Sequence, residues 1–153
     1  ASGECANIKL RLVNPPNDAG KYRYELRGQA HPPFLCNPEQ SMTGHVYAIE
    51  GEIKAMVTFL TLDDVNTAMV GLPGASPGKE SLAVLSDAEH ITLVMDPDAR
   101  EAAWKLVQQL GRERCSVLIP PVKIDDGILQ AQMTRHDVRR MLRNAIPCGK
   151  VKR

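Results

Sequence analysis

Three carboxylates stand at the ends of two apolar runs and set the chemistry open to this chain. Val46-Tyr47-Ala48-Ile49-Glu50 and Ile91-Thr92-Leu93-Val94-Met95-Asp96 are β-rich, end abruptly in acid and give way to helix-forming residues. That is the pattern of parallel strands presenting carboxylates at their carboxyl ends. Neighbouring strands lie ~4.8 Å apart, so Glu50 on one strand end and Asp96 and Asp98 just beyond the next are placed to share one hydrated cation. Oxygen-only ligands suit Mg²⁺ or Mn²⁺ and not zinc. The simpler alternative for any one such acid is that it caps the following helix or faces solvent.

To bring those acids together the chain needs strands alternating with helices, and the pattern supplies them. Strands are expected at 46–50, 67–71, 91–95 and 115–119, with helices near 52–61, 79–86 and 99–110. Such alternation predicts an α/β fold: a mainly parallel four-stranded sheet flanked by helices, with ligands at the carboxyl ends of the strands. On the third helix Ala103, Leu106, Val107 and Leu110 form one stripe and Gly111 is the stop, which assigns Trp104 to packing. Asp125-Asp126 opens a further helix, and Pro147 ends the last one.

Upstream, Ile8 to Val13 and Tyr22 to Leu26 alternate around a turn-rich Asn14-Pro15-Pro16-Asn17-Asp18-Ala19-Gly20, which reads as an antiparallel hairpin. Lys9, Arg11, Lys21, Arg23 and Arg27 with Tyr22 and Tyr24 make it either a nucleic-acid face or the wet side of a small sheet. The segment from His31 to Gln40 reads as a linker. The expected organisation is a hairpin and linker over 1–44, the α/β domain over 45–130, and a basic helix and tail over 131–153.

At this point the chain resembles a known family. Glu50-Gly51-Glu52-Ile53-Lys54-Ala55 is similar to the first motif of the Toprim domain, shared by type IA and type II topoisomerases, bacterial primases, Toprim nucleases and RecR-type recombination proteins. Asp96-Pro97-Asp98-Ala99-Arg100-Glu101-Ala102-Ala103-Trp104 is similar to its second. Ile119-Pro120-Pro121-Val122-Lys123-Ile124-Asp125-Asp126-Gly127-Ile128 resembles the Pro-rich, lysine-then-acid stretch that follows the fourth strand. In detail the three lean towards the primase and primase-helicase proteins of bacteria, phages and other mobile elements, and their order over residues 45 to 130 makes the resemblance specific.

The resemblance implies a Rossmann-like Toprim fold and Mg²⁺- or Mn²⁺-dependent nucleotidyl transfer in RNA primer synthesis. It implies Glu50, Asp96 and Asp98 as catalytic and metal-binding residues, Asp126 as an outer metal partner, and Lys54 and Lys79 near phosphates. Single-stranded DNA template, nucleotides and further primase or helicase domains are the implied partners. A Toprim nuclease, or a non-catalytic DNA-binding or assembly module, are the alternatives. The chain departs from the pattern twice. Lys54 stands where many cellular primases carry an acid, and Asp125 and Asp126 replace the usual Asp-Pro-Asp, so a second metal site does not carry over.

The 153 residues are enough for one domain with an ordinary core, and 43% hydrophobic with 24% charged residues reads as soluble and globular. No apolar run approaches the ~20 residues of a membrane span, which predicts a cytoplasmic setting. Cys5, Cys36, Cys115 and Cys148 are scattered without a Cys-x-x-Cys pair, which predicts reduced thiols and no zinc ribbon. Charge is uneven: residues 135–153 carry seven basic residues and one acid, leaving 12 basic and 17 acidic over residues 1–134. Arg139, Arg140 and Arg143 on the basic helix are therefore candidates for phosphate contacts, the alternative being a solvated helix and tail. Gly71 to Glu80 fails as a P-loop, because three residues separate Gly74 from Gly78-Lys79 and Glu80 stands where Ser or Thr is required. Its glycines either let the backbone approach a phosphate, with Lys79 adding charge, or form a plain connection.

Overall fold

In the computed structural model of the chain, residues 9–11, 22–24 and 32–149 are described. First among the described residues is a small antiparallel pair, β1 (Lys9–Arg11) and β2 (Tyr22–Tyr24), in the register Lys9 to Tyr24. The hairpin is thus present, while its turn lies outside the described residues.

The main sheet is built from β3 (Phe34–Leu35), β4 (His45–Glu50), β5 (Ala68–Leu72), β6 (His90–Val94), β7 (Cys115–Leu118) and β8 (Ile146–Pro147). Its order is β3-β5-β4-β6-β7-β8. The inner four strands run parallel, as the alternating pattern requires, and an antiparallel strand closes each edge. Those two edge strands are additions to the four expected. Phe34 and Leu35, read as linker, pair with Gly71 and Val70. Pro147, read as a helix stop, lies on an edge strand opposite Ser116, a position where a missing N–H is tolerated.

Strand alternation divides the core into two layers. Val46, Ala48, Val70, Leu72, Ile91 and Leu93 face one way, onto α2 (Lys79–Val84) and α3 (Arg100–Leu110). Ile49, Met69 and Val94 face the other way, onto α1 (Glu52–Leu62), α4 (Ile124–Leu129) and α5 (Arg135–Arg143). The expected stripe of α3 is the buried one, Ala103, Leu106, Val107 and Leu110, and the helix ends at Gly111 with φ +97°. Trp104 departs from expectation. It lies off that stripe, 43% exposed, with the Arg112 guanidinium 4.8 Å over its ring.

Helix α5 begins at a capping box: Thr134 accepts from the Asp137 N–H, and the Asp137 side chain accepts from the Thr134 N–H. The Thr134 hydrogen bonds hold the Asp137 carboxyl below its ordinary value. A group whose folded pKa is depressed stabilises the fold above its unfolded pKa, and that stabilisation is lost as pH falls through the folded value. Thr134→Ala should therefore lower the Tm by ~2–4 °C at neutral pH, and by progressively less at acid pH as the Asp137 carboxylate takes up its proton. Thermal melts at neutral and acid pH check this.

Candidate active site

Each predicted acid is positioned by a strand end. Glu50 is the last residue of β4, opposite Leu72, and Ile49 pairs with Val94, so the β4 and β6 ends are level. The backbone then turns sharply at Gly51, with φ +95°, a left-handed geometry open to glycine without strain, and α1 starts at the next residue. Beyond β6, Met95 is still tied into the sheet by its N–H to the Leu118 carbonyl. Asp96 follows, and its N–H donates to Glu50 Oε2 at 3.1 Å. Glu50 and Asp96 are therefore in direct contact.

Asp98 lies on the exposed turn before α3 and shares with Glu50 a cleft of about 330 Å³. Glu101 and Lys105, one turn apart on α3, form another part of its wall, and Ala75 and Ser76 of the β5–α2 loop another. The loop that fails as a P-loop thus does border the site. Glu101 and Lys105 escaped the sequence reading. Their only signal was the i,i+4 spacing on the exposed side of α3, which any solvated helix shows.

The Asp96 carboxylate points elsewhere. Lys54 Nζ of α1 donates to both its oxygens at 2.6 Å, and Lys123 Nζ lies 3.4 Å from Oδ2. The Lys54 and Asp96 side chains are only 15% and 10% exposed, so this pair is largely removed from water. Lys123 is half exposed, and its ammonium is raised above the usual lysine value, first by the charge of Asp96 and its hydrogen bond, then by Asp98 and Asp126. Asp126, exposed in the first turn of α4, contributes to that field and is not on the cleft wall.

Among the described residues no three His, Cys, Asp or Glu side chains close on one point that could hold a metal. Mg²⁺, however, is commonly held by one or two carboxylates together with water and substrate phosphates. Glu50 and Asp98 are two oxygen donors on one cleft and fit that requirement, while Asp96 is committed to lysines. Among the described residues Cys36, Cys115 and Cys148 are free thiols, and burial pushes those of Cys36 and Cys115 up to about 11, while Cys5 lies outside the described residues.

The remaining predicted phosphate ligands do not reach this cleft. Lys79 is exposed at the start of α2, outside the cleft wall. Arg139 donates to the Leu62 carbonyl at 3.1 Å and Arg135 pairs with Asp63, so α5 is fastened to the carboxyl end of α1. Arg140 pairs with Asp137, and Arg143 is exposed.

Solved structures share this fold. A bacteriophage T7 assembly, in which the lagging-strand DNA polymerase interacts with primase domains bound to an RNA/DNA hybrid and dTTP, matches with a TM-score of 0.58 and 26% identity. The match covers 68% of this chain and 56% of that one. The fold is primase-like. The primase fragment of the T7 primase-helicase matches at 0.55 and 25% identity, over 65% of this chain and 44% of that one. The RNA polymerase domain of Mycobacterium tuberculosis primase DnaG, with a double-stranded DNA oligomer carrying a 6-nucleotide overhang, matches at 0.69 and 18% identity. There the match covers 95% of this chain and 51% of that one. The chain thus spans about half the length of the primase chains it matches. No family model matches the sequence, and no curated protein does.

Proposed function

We propose that this chain is the Toprim-type catalytic part of a DNA primase or primase-helicase, acting in RNA primer synthesis within a larger protein. The observation that carries the reading is the cleft at the carboxyl ends of β4 and β6, lined by Glu50 and Asp98, on a fold similar to primase catalytic domains. The 25–26% identity to the T7 primase structures favours a phage or mobile-element relative.

A divalent cation held there by Glu50 and Asp98 would orient nucleotide phosphates and neutralise charge that develops in phosphoryl transfer. The protein groups do the positioning. Lys105 would supply a positive charge on the cleft wall, and Ala75 and Ser76 would give a nucleotide a surface to lie against. Glu50, fixed on one oxygen by the Asp96 N–H, has its other oxygen for one of two roles, completing the cation's coordination or accepting a proton from an attacking hydroxyl.

The test is primer synthesis on single-stranded DNA with ribonucleotides and Mn²⁺, run on the longer protein. Glu50→Gln, which keeps size and removes charge, should lower synthesis by about 100-fold or more. Residues 1–153 alone should make no oligonucleotide, because positioning supplies much of the rate and the template platform is expected from neighbouring domains. Unaltered synthesis by Glu50→Gln would overturn the assignment of the site.

A further inference from the structure

Resting on the metal-dependent reading of the cleft, we propose that Lys54 is a built-in cation that takes the place of a second divalent ion at Asp96. The acidic end of the sheet then holds a single ion, on the side of Glu50 and Asp98.

What Asp96 can bind is set by its lone pairs. A divalent cation binds carboxylate oxygen at ~2.0–2.6 Å, in the directions those lone pairs offer. Both Asp96 oxygens already face one ammonium at 2.6 Å, and a second ammonium stands 3.4 Å from Oδ2. Two ammonium groups therefore flank the one carboxylate, and a metal ion reaching the Asp96 oxygens would have to displace the Lys54 ammonium from them. Lys54 also has little freedom to withdraw. Its side chain is mostly buried, and its stem lies along the Gly51 turn, 3.5–3.7 Å from where a Cβ at 51 would stand. The acids on the cleft are in a different position. Glu50 is bound on one oxygen by the Asp96 N–H, and Glu50 and Asp98 line open space.

Asp96 thereby acquires a positioning role. Its side chain anchors α1 through Lys54, its backbone N–H anchors Glu50, and Asp98 follows two residues later. The ion pair locks the two halves of the site without spending a metal on it.

The test counts bound Mn²⁺ by electron paramagnetic resonance on the full chain, with folding of each variant followed by circular dichroism. Wild type should bind one ion, and Asp98→Asn should weaken that ion at least tenfold. Asp96→Asn should leave one ion bound. Lys54→Met, which keeps the stem and removes the charge, should bind two ions, and Lys54→Met with Asp96→Asn should return to one. A single ion in Lys54→Met, or loss of the ion in Asp96→Asn, overturns the proposal while leaving the metal-dependent cleft intact. If neither wild type nor Lys54→Met binds Mn²⁺, the metal reading itself has failed and this proposal goes with it. Should Lys54→Met not fold, Asp96→Asn decides alone: retention of the ion supports Lys54 as the cation at Asp96, and loss refutes it.

Discussion

Asp96→Ala should destabilise the domain by about 3–5 kcal/mol, measured by denaturant unfolding in the presence of a chelator. The magnitude follows from what is left behind. Lys54 is 15% exposed, and with Asp96 removed its ammonium stays in a half-closed site without its hydrogen-bond partner. Lys123 is too exposed for its loss of a partner to matter much. A shift of this size lowers the Tm by roughly 10 °C for a chain of this length. Asp96→Asn should cost about half as much, since an amide oxygen still accepts from Lys54. Equal and small effects of the two substitutions would show that the Lys54–Asp96 pair is not buried as described.

Gly71→Ala should cost about 2–3 kcal/mol, against the usual expectation for glycine in a strand. Replacing glycine by alanine in extended backbone ordinarily gains ~0.4–1 kcal/mol by restricting the unfolded chain. Here, however, a Cβ at position 71 would lie 2.6 Å from the Glu52 Cα and 3.1 Å from the Ala55 Cβ. The obstacle is backbone at the first residue of α1, so relief requires the helix to move off the sheet, and overpacking of that kind costs ~1–3 kcal/mol or more. Because Glu50 immediately precedes this turn, the same displacement should weaken Mn²⁺ binding at the cleft. A melt that rises on substitution would mean α1 does not pack against β5 at this distance.

The sequence determined the central architecture because its signals were local. Predominantly apolar runs such as Ala68–Leu72 and His90–Val94 can be buried on both faces only in a sheet covered on both sides. The 3.6-residue spacing of Ala103, Leu106, Val107 and Leu110 gave the buried side of α3 directly. Acids immediately after apolar runs located Glu50, Asp96 and Asp98 at one end of the sheet, since a parallel sheet puts its carboxyl ends together.

Only the tertiary structure decided how those acids are used. Asp96 and Asp98 are separated by one residue and look equivalent in sequence, yet one turns inward to two lysines and the other outward to the cleft. The cause is long-range: Lys54 and Lys123 arrive from α1 and from the segment after β7, 42 and 27 positions away, and no local pattern records their convergence. The edge strands escaped for a related reason. Phe34–Leu35 and Ile146–Pro147 are two residues each, too short to show alternation, and they are strands only because β5 and β7 present unpaired backbone to them. Arg139 was a candidate for phosphate contact on charge alone, the alternative being a solvated helix, while its hydrogen bond to the Leu62 carbonyl depends on how α5 crosses the end of α1. Period and propensity fix which residues form elements and which face is buried; the partners of a charged side chain are set by what the fold brings opposite it.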